Sequence, residues 1–196
     1  MKFLNIKLLV IAVCMFAASS AFADFSYDFS VNTSSINGTA GYIDLQFNPG
    51  ISSTGSASAT ITNFTSDATL GTATPSGSSV TGTLPSTVTI NNTSTTGYND
   101  YLQALTFGNT INFVVDLSGA TGNSFAVSFL NSTQTAALLT NDNVNGYAAT
   151  VDVNPNGAVV NNLSSQTNVV TPIPAAAYLL GSGLIGLVGI RRKMKN

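Results

Sequence analysis

The sequence predicts an all-β fold, an antiparallel sandwich with jelly-roll-like wiring. Three observations predict it. Apolar and polar residues alternate in short runs, as half-buried strands require. Gly and Asn punctuate those runs at short intervals. No stretch between residues 24 and 170 carries a helical period.

In chain order, the first run is Phe25, Tyr27, Phe29 and Val31. Ile43, Leu45 and Phe47 form the second, closed by the turn residues Asn48-Pro49-Gly50. Ala57, Ala59 and Ile61 mark a third, and Val88 with Ile90 a short fourth. Between them, Thr69 to Pro85 is mostly Ser, Thr and Gly and predicts a long surface loop or an irregular edge. Tyr101 to Phe107 and Ile111 to Leu117 read as a hairpin around Gly108-Asn109. Phe125, Val127 and Phe129 follow, then Tyr147, Ala149, Val151 and Val153. Asn145-Gly146 and Asn156-Gly157 suit hairpin turns, because both residue types tolerate positive φ.

The charge is segregated. Of 196 residues, all six Lys and Arg lie at the ends: Lys2, Lys7, Arg191, Arg192, Lys193 and Lys195. All eight acids are Asp, between Asp24 and Asp152, and the chain contains no His and no Glu. The middle therefore offers no basic patch to neutralise phosphates, which excludes nucleic acid as its partner. It can form no side-chain salt bridge, so folding rests on apolar burial and hydrogen bonds. Cys14 is the only cysteine and lies in the N-terminal apolar run. The middle must then support its core without a disulfide, and about 145 residues suffice for that.

Met1 to Ala23 reads as a signal peptide. Lys2 and Lys7 precede the short apolar run Leu8 to Phe16, and Ala21 and Ala23 supply the small residues that signal peptidase needs at −3 and −1. Cys14 follows Val13 within a continuing apolar run, which argues against a lipoprotein cysteine. At the other end, Ala175 to Ile190 is an uninterrupted apolar stretch before Arg191, Arg192, Lys193 and Lys195. Sixteen helical residues reach about 24 Å at roughly 1.5 Å each. Ile173 and snorkelling basic side chains extend that toward a hydrocarbon core of about 30 Å. A basic stop after the apolar run predicts a cytoplasmic C-terminus and an exported middle, the topology that the signal peptide also implies. The expected organisation is a signal peptide over 1–23, a β-sandwich ectodomain over 24–170 and a terminal segment over 171–196.

That terminal segment is Thr171-Pro172-Ile173-Pro174-Ala175-Ala176, then Leu179 to Ile190 rich in Gly and Leu, then the Arg/Lys tail. It resembles a PEP-CTERM sorting signal, and more closely the variant that starts Val-Pro-Leu-Pro-Ala. Ile173 stands where the commonest form has Glu, which leaves the exosortase subclass open. The resemblance covers about 25 residues. It implies that an exosortase-type membrane enzyme recognises Pro172, Ile173, Pro174 and Ala175, removes the tail and releases the protein. On that expectation the chain sits in the inner membrane transiently, then reaches the cell surface or the extracellular space.

The middle is similar to a family of uncharacterised PEP-CTERM proteins. The residues that carry this are Gly41-Tyr42-Ile43-Asp44-Leu45-Gln46-Phe47-Asn48-Pro49-Gly50, Ala59-Thr60-Ile61-Thr62-Asn63-Phe64 and Leu70-Gly71, with Gly82-Thr83-Leu84-Pro85 and Phe107-Gly108-Asn109 farther on. This implies architecture and destination, and adds no chemistry.

Gly181-Ser182-Gly183-Leu184-Ile185-Gly186 matches the glycine spacing of a dinucleotide-binding turn. That turn needs a flanking strand, a helix and an acid about 20 residues on, and the sequence supplies no acid after it. The glycines suit a smooth face on a membrane helix instead.

Catalysis near neutral pH needs a proton donor and acceptor, and between residues 24 and 170 only Asp, Tyr, Ser and Thr remain. A pair of Asp suffices in principle for glycoside hydrolysis. The Asp are spread singly, however, and no Trp is present to stack on a sugar, so no enzyme and no resident cofactor are expected. For calcium, Asp152, Asn154 and Asn156 with Gly157 fit the first half of a calcium loop. The twelfth position is Leu163, where a bidentate Glu belongs. Asn141, Asn143, Asn145 and Gly146 repeat the spacing and place Asp152 twelfth, without an acid at the first position. Hairpin turns account for both patterns.

The expected function is that of an exported, non-enzymatic surface or matrix protein associated with exopolysaccharide or biofilm. The alternative is a lectin-like module that holds glycan through Asn, Asp and Tyr, with Ca2+ as a candidate cofactor.

Overall fold

A computed structural model describes residues 25–50, 53, 55–76, 79–92 and 98–171. The signal peptide over 1–23 and the sorting motif, apolar run and basic tail over 172–196 lie outside the described residues. Among the described residues, no helix is long and apolar enough to cross a membrane.

Two antiparallel sheets pack face to face. Sheet A contains, in spatial order, β13 (Thr167–Val170), β1 (Phe25–Asn32), β8 (Thr110–Gly119), β3 (Ala57–Ser66), β6 (Val88–Asn91) and β5 (Val80–Gly82). Sheet B contains β12 (Gly157–Asn162), β11 (Tyr147–Asn154), β9 (Asn123–Asn131), β2 (Ala40–Pro49), β7 (Asp100–Thr106) and β4 (Thr69–Pro75), with β10 (Ala137–Leu138) also on β9. The predicted alternation holds: Tyr27, Phe29 and Val31, Ile43, Leu45 and Phe47, and Phe125, Val127 and Phe129 all point inward and are buried. Phe29 joins the two layers. Its ring stacks on Phe113 of its own sheet at 4.8 Å and meets Phe125 of the other edge-on at 5.5 Å.

The predicted hairpin from Tyr101 to Leu117 does not form. β7 pairs with β2 and β4 in sheet B, whereas β8 pairs with β1 and β3 in sheet A. Phe107-Gly108-Asn109 is therefore a corner that crosses between layers. It runs beside the β1–β2 corner: the Gly38 N–H donates to the Phe107 carbonyl and the Thr33 N–H to that of Asn109, both at 2.8 Å. The β3–β4 turn joins them through Asp67, whose carboxylate accepts the N–H groups of Asn109 and Thr110 at 2.8–2.9 Å. The pairs β1·β8, β2·β7 and β3·β6 are thus nested, each a strand with a later partner, alternating between sheets.

The Ser/Thr/Gly-rich stretch from Thr69 contains two strands, β4 and β5, each at the edge of its sheet. The edge alternative of the sequence reading is the one realised there. β4 is bulged between Leu70 and Ala73, and the buried Gln103 side chain donates to the Gly71 carbonyl at 2.8 Å. Asn156 belongs to a hairpin, β11–β12, whose two-residue turn is Pro155-Asn156, with Asn154 opposite Gly157.

Candidate functional site

The outer face of sheet B is built by simple alternation. Ile43, Leu45 and Phe47 of β2 point into the core, so Tyr42, Asp44, Gln46 and Asn48 point out. Register then places neighbours on the same face. Ser124, Ala126 and Ser128 of β9 lie opposite Asn48, Gln46 and Asp44, and on the far side β11 presents Asp152, Thr150 and Tyr147 opposite those three. Asp100 of β7 lies opposite Gln46, and Leu102 opposite Asp44. The β9 side chains on this face are smaller than those opposite them on β2 and β11.

Polar side chains form a directed ladder along β2. The Asn99 N–H donates to Asn48 Oδ1 at 2.8 Å, Asn48 Nδ2 to Gln46 Oε1 at 3.4 Å, and Gln46 Nε2 to Asp44 Oδ2 at 2.6 Å. The ladder ends on a carboxylate that is only 8% exposed, and Asp44 Oδ1 is buried with no hydrogen-bond partner among the described residues. Burial, with a further push from the charge of Asp100 and against the pull of the Gln46 amide, raises Asp44 to about 6. No Lys, Arg or His lies between Lys7 and Arg191 to compensate it. Tyr147 shares a row with Asp44 across Ser128. Its phenol is pushed up, mainly by burial and then by Asp44, Tyr98 and Asp142.

Two hollows flank the next row, which runs Ala137, Leu130, Tyr42 and Ala104 across β10, β9, β2 and β7. One, of about 420 Å³, lies between Leu130, the 134–137 segment and the 140–146 loop. The other, of about 280 Å³, lies between Tyr42, Ala104, Thr106 and the Thr69-Leu70-Gly71 segment of β4. Leu130 lines the first and Tyr42 the second, and the two are cross-strand neighbours.

The candidate calcium residues are placed as follows. Asp152 sits in β11, where its carboxylate accepts from Ser124 Oγ at 2.6 Å and Asn161 Nδ2 at 2.9 Å. Asn154 Nδ2 donates to the Asp152 main-chain carbonyl at 3.2 Å, and Asn156 lies in the exposed turn. In the upstream pattern, the organising residue is Asp142 rather than the flanking Asn141, Asn143 or Asn145. Its Oδ1 accepts the N–H groups of Val144 and Asn145 at 3.0 and 3.1 Å, which holds its carboxyl below the usual range. Thr140 Oγ1 donates to the Tyr147 carbonyl and closes the loop onto β11. Among the described residues, no group of three or more His, Cys, Asp or Glu is placed to hold a metal ion. Pro172, Ile173, Pro174 and Ala175, the basic stop and the Ala21 and Ala23 cleavage residues lie outside the described residues.

Sequence reasoning passed over Asp44, although it sits inside the stretch that carries the ectodomain resemblance. Its outward place in an alternating strand is legible. Its missing partner depends on register with β7 and β9, which no local pattern encodes. No family model, no curated protein and no solved structure matches the chain.

Proposed function

We propose that the chain is an exported, non-enzymatic surface or matrix protein, delivered by the general secretory route and sorted by its tail. The observation that carries this reading is the order of features at the C-terminus: Pro172-Ile173-Pro174-Ala175, the apolar run to Ile190, and the basic stop at Arg191, Arg192, Lys193 and Lys195. The signal peptide, processed after Ala23, gives the same topology. The partners on this reading are signal peptidase, an exosortase-type membrane enzyme and, transiently, the inner membrane. The nested pairs β1·β8, β2·β7 and β3·β6 support a jelly-roll assignment for the sandwich. An acidic, hydroxyl-rich surface without cations keeps such a domain hydrated in an extracellular polysaccharide.

A variant carrying Pro172→Ala and Pro174→Ala, expressed in the native host, tests the sorting motif. It should accumulate in the inner membrane with its tail intact while the parent chain is released. Equal release of both would overturn the assignment.

The outer face of sheet B favours a second reading within the same destination, a glycan-binding lectin-like module. The ladder that ends on Asp44 offers a fixed hydrogen-bond acceptor, which suits a ligand rich in donors.

A further inference from the structure

We propose that the groove across the outer face of sheet B binds a linear polysaccharide bearing free amino groups, with Tyr42 as its stacking platform and Asp44 as its acceptor. The proposal rests on the glycan-binding reading and deepens it, naming the site and the class of sugar.

Four observations carry it. The first is shape. Leu130 lines one hollow and its cross-strand neighbour Tyr42 the other, on a row that crosses from β10 to the bulge of β4. Five adjacent strands give four spacings, or about 19 Å at ~4.8 Å each, enough for several consecutive sugar rings. One end runs out at β4, the edge of the sheet, so a polymer need not terminate there. The second is an aromatic side chain. Tyr42 is partly exposed at the centre of the row, where a ring can lie against the apolar face of a sugar.

The third is Asp44 itself, one alternation along β2 from Tyr42. Its Oδ1 is buried and unpartnered, and a buried acceptor without a donor is costly unless something supplies one. Asp44 lines neither hollow, so a donor that reaches it from the adjoining row of the groove must displace the Gln46 amide, which donates to Oδ2 at 2.6 Å. The fourth is charge, which selects among sugars. Asp44, Asp100 and Asp152 share this face, and no basic side chain lies between Lys7 and Arg191. A uronate polymer would be repelled. A neutral sugar would donate to Asp44 and leave its charge uncompensated. An ammonium group both donates and neutralises, so an amino-sugar polymer is the complement.

The test uses the full-length chain in mild non-ionic detergent, incubated with chitosan, a neutral β-glucan and alginate, each with and without calcium. Chitosan is a polycation, so specific capture must be separated from bulk attraction. Asp116→Asn supplies that control, because Asp116 points outward from β8 on the opposite sheet and its loss changes net charge equally. Expected is capture by chitosan, weakened at least about tenfold by Asp44→Asn and by Tyr42→Ala, with Asp116→Asn unchanged and each variant melting cooperatively. Equal loss in Asp44→Asn and Asp116→Asn would mean bulk charge attraction and overturn the site. Capture by the β-glucan as strongly as by chitosan, still sensitive to Tyr42→Ala, would overturn the amino-sugar specificity and leave the glycan-binding reading standing. Capture of alginate only in the presence of calcium would likewise overturn the amino-sugar specificity alone, and capture of no polymer at all would overturn both.

Discussion

Asp44 and Asp67 are carboxylates of the same chain with opposite effects on its stability. Burial raises Asp44 to about 6, so the folded state holds that proton more tightly than the unfolded chain does. Stability on its account falls as pH rises from about 4 to about 6, and the penalty is complete at neutral pH. Asp67 is exposed, and the N–H groups of Asn109 and Thr110 lower it to about 2. Its contribution is present above about pH 4 and is lost as pH falls toward 2. Asp44→Asn should therefore raise the melting temperature at pH 7 by several degrees. That corresponds to a gain on the order of 1–3 kcal/mol, and it should vanish below pH 4. Asp67→Asn should lower the melting temperature at pH 7 and have little effect near pH 2. Thermal melts of both variants across pH 2–8 check this, and a destabilised Asp44→Asn at pH 7 would contradict it.

At the scale of elements, the nested corners decide the topology. A Cβ on Gly108 would lie 2.3 Å from Asp67 Oδ1 and 2.6 Å from its main-chain carbonyl carbon. Gly108→Ala must therefore shift the backbone where the β3–β4 turn meets the β7–β8 corner, and should cost roughly 1–3 kcal/mol. Phe29→Ala removes the ring that touches both sheets and should cost about 3–5 kcal/mol. Urea denaturation orders the two. If Phe29→Ala proved the milder, the placing of the core contact would be wrong.

These elements also show what the sequence could and could not say. Period-two alternation named the inward residues of β1, β2, β3, β6 and β9 correctly, because burial on one face leaves that trace wherever the strand pairs. In β11 it held for Ala149, Val151 and Val153 but not for Tyr147, which the register shift before Ala149 turns to the outer face. It could not tell a hairpin from a corner at Gly108-Asn109. Tyr101 to Phe107 and Ile111 to Leu117 bury the same alternate positions whether they lie side by side or in facing sheets. β4 left almost no trace, since an edge strand that is mostly exposed needs no apolar rhythm. Gln103 points inward among apolar neighbours and breaks the pattern, and its purpose is visible only once the bulge of β4 supplies a carbonyl for it. Asp44 was readable as an outward residue. Its isolation was not, because that depends on what β7, β9 and β11 set beside it.

At the scale of the molecule, the sandwich stands without disulfides, and among its described residues it has no ion pair to weaken. Adding 1 M NaCl should leave the melting temperature unchanged or raise it slightly, since screening can relieve only repulsion among the Asp. A fall of several degrees would show attractive electrostatics that the charge distribution does not provide. The same distribution underlies the proposed biology. Basic residues are confined to the two segments that would face or enter the membrane machinery, and the acidic, hydroxyl-rich domain lies between them.

The sorting of that domain is the central claim, and mass spectrometry of both termini, on protein recovered from separated fractions of the native host, tests it most directly. A chain that begins at Asp24, lacks the segment from Gly181 to Arg191 and is found outside the inner membrane is the predicted result. An intact C-terminus confined to the inner membrane would contradict it and leave a membrane-anchored periplasmic sandwich in its place.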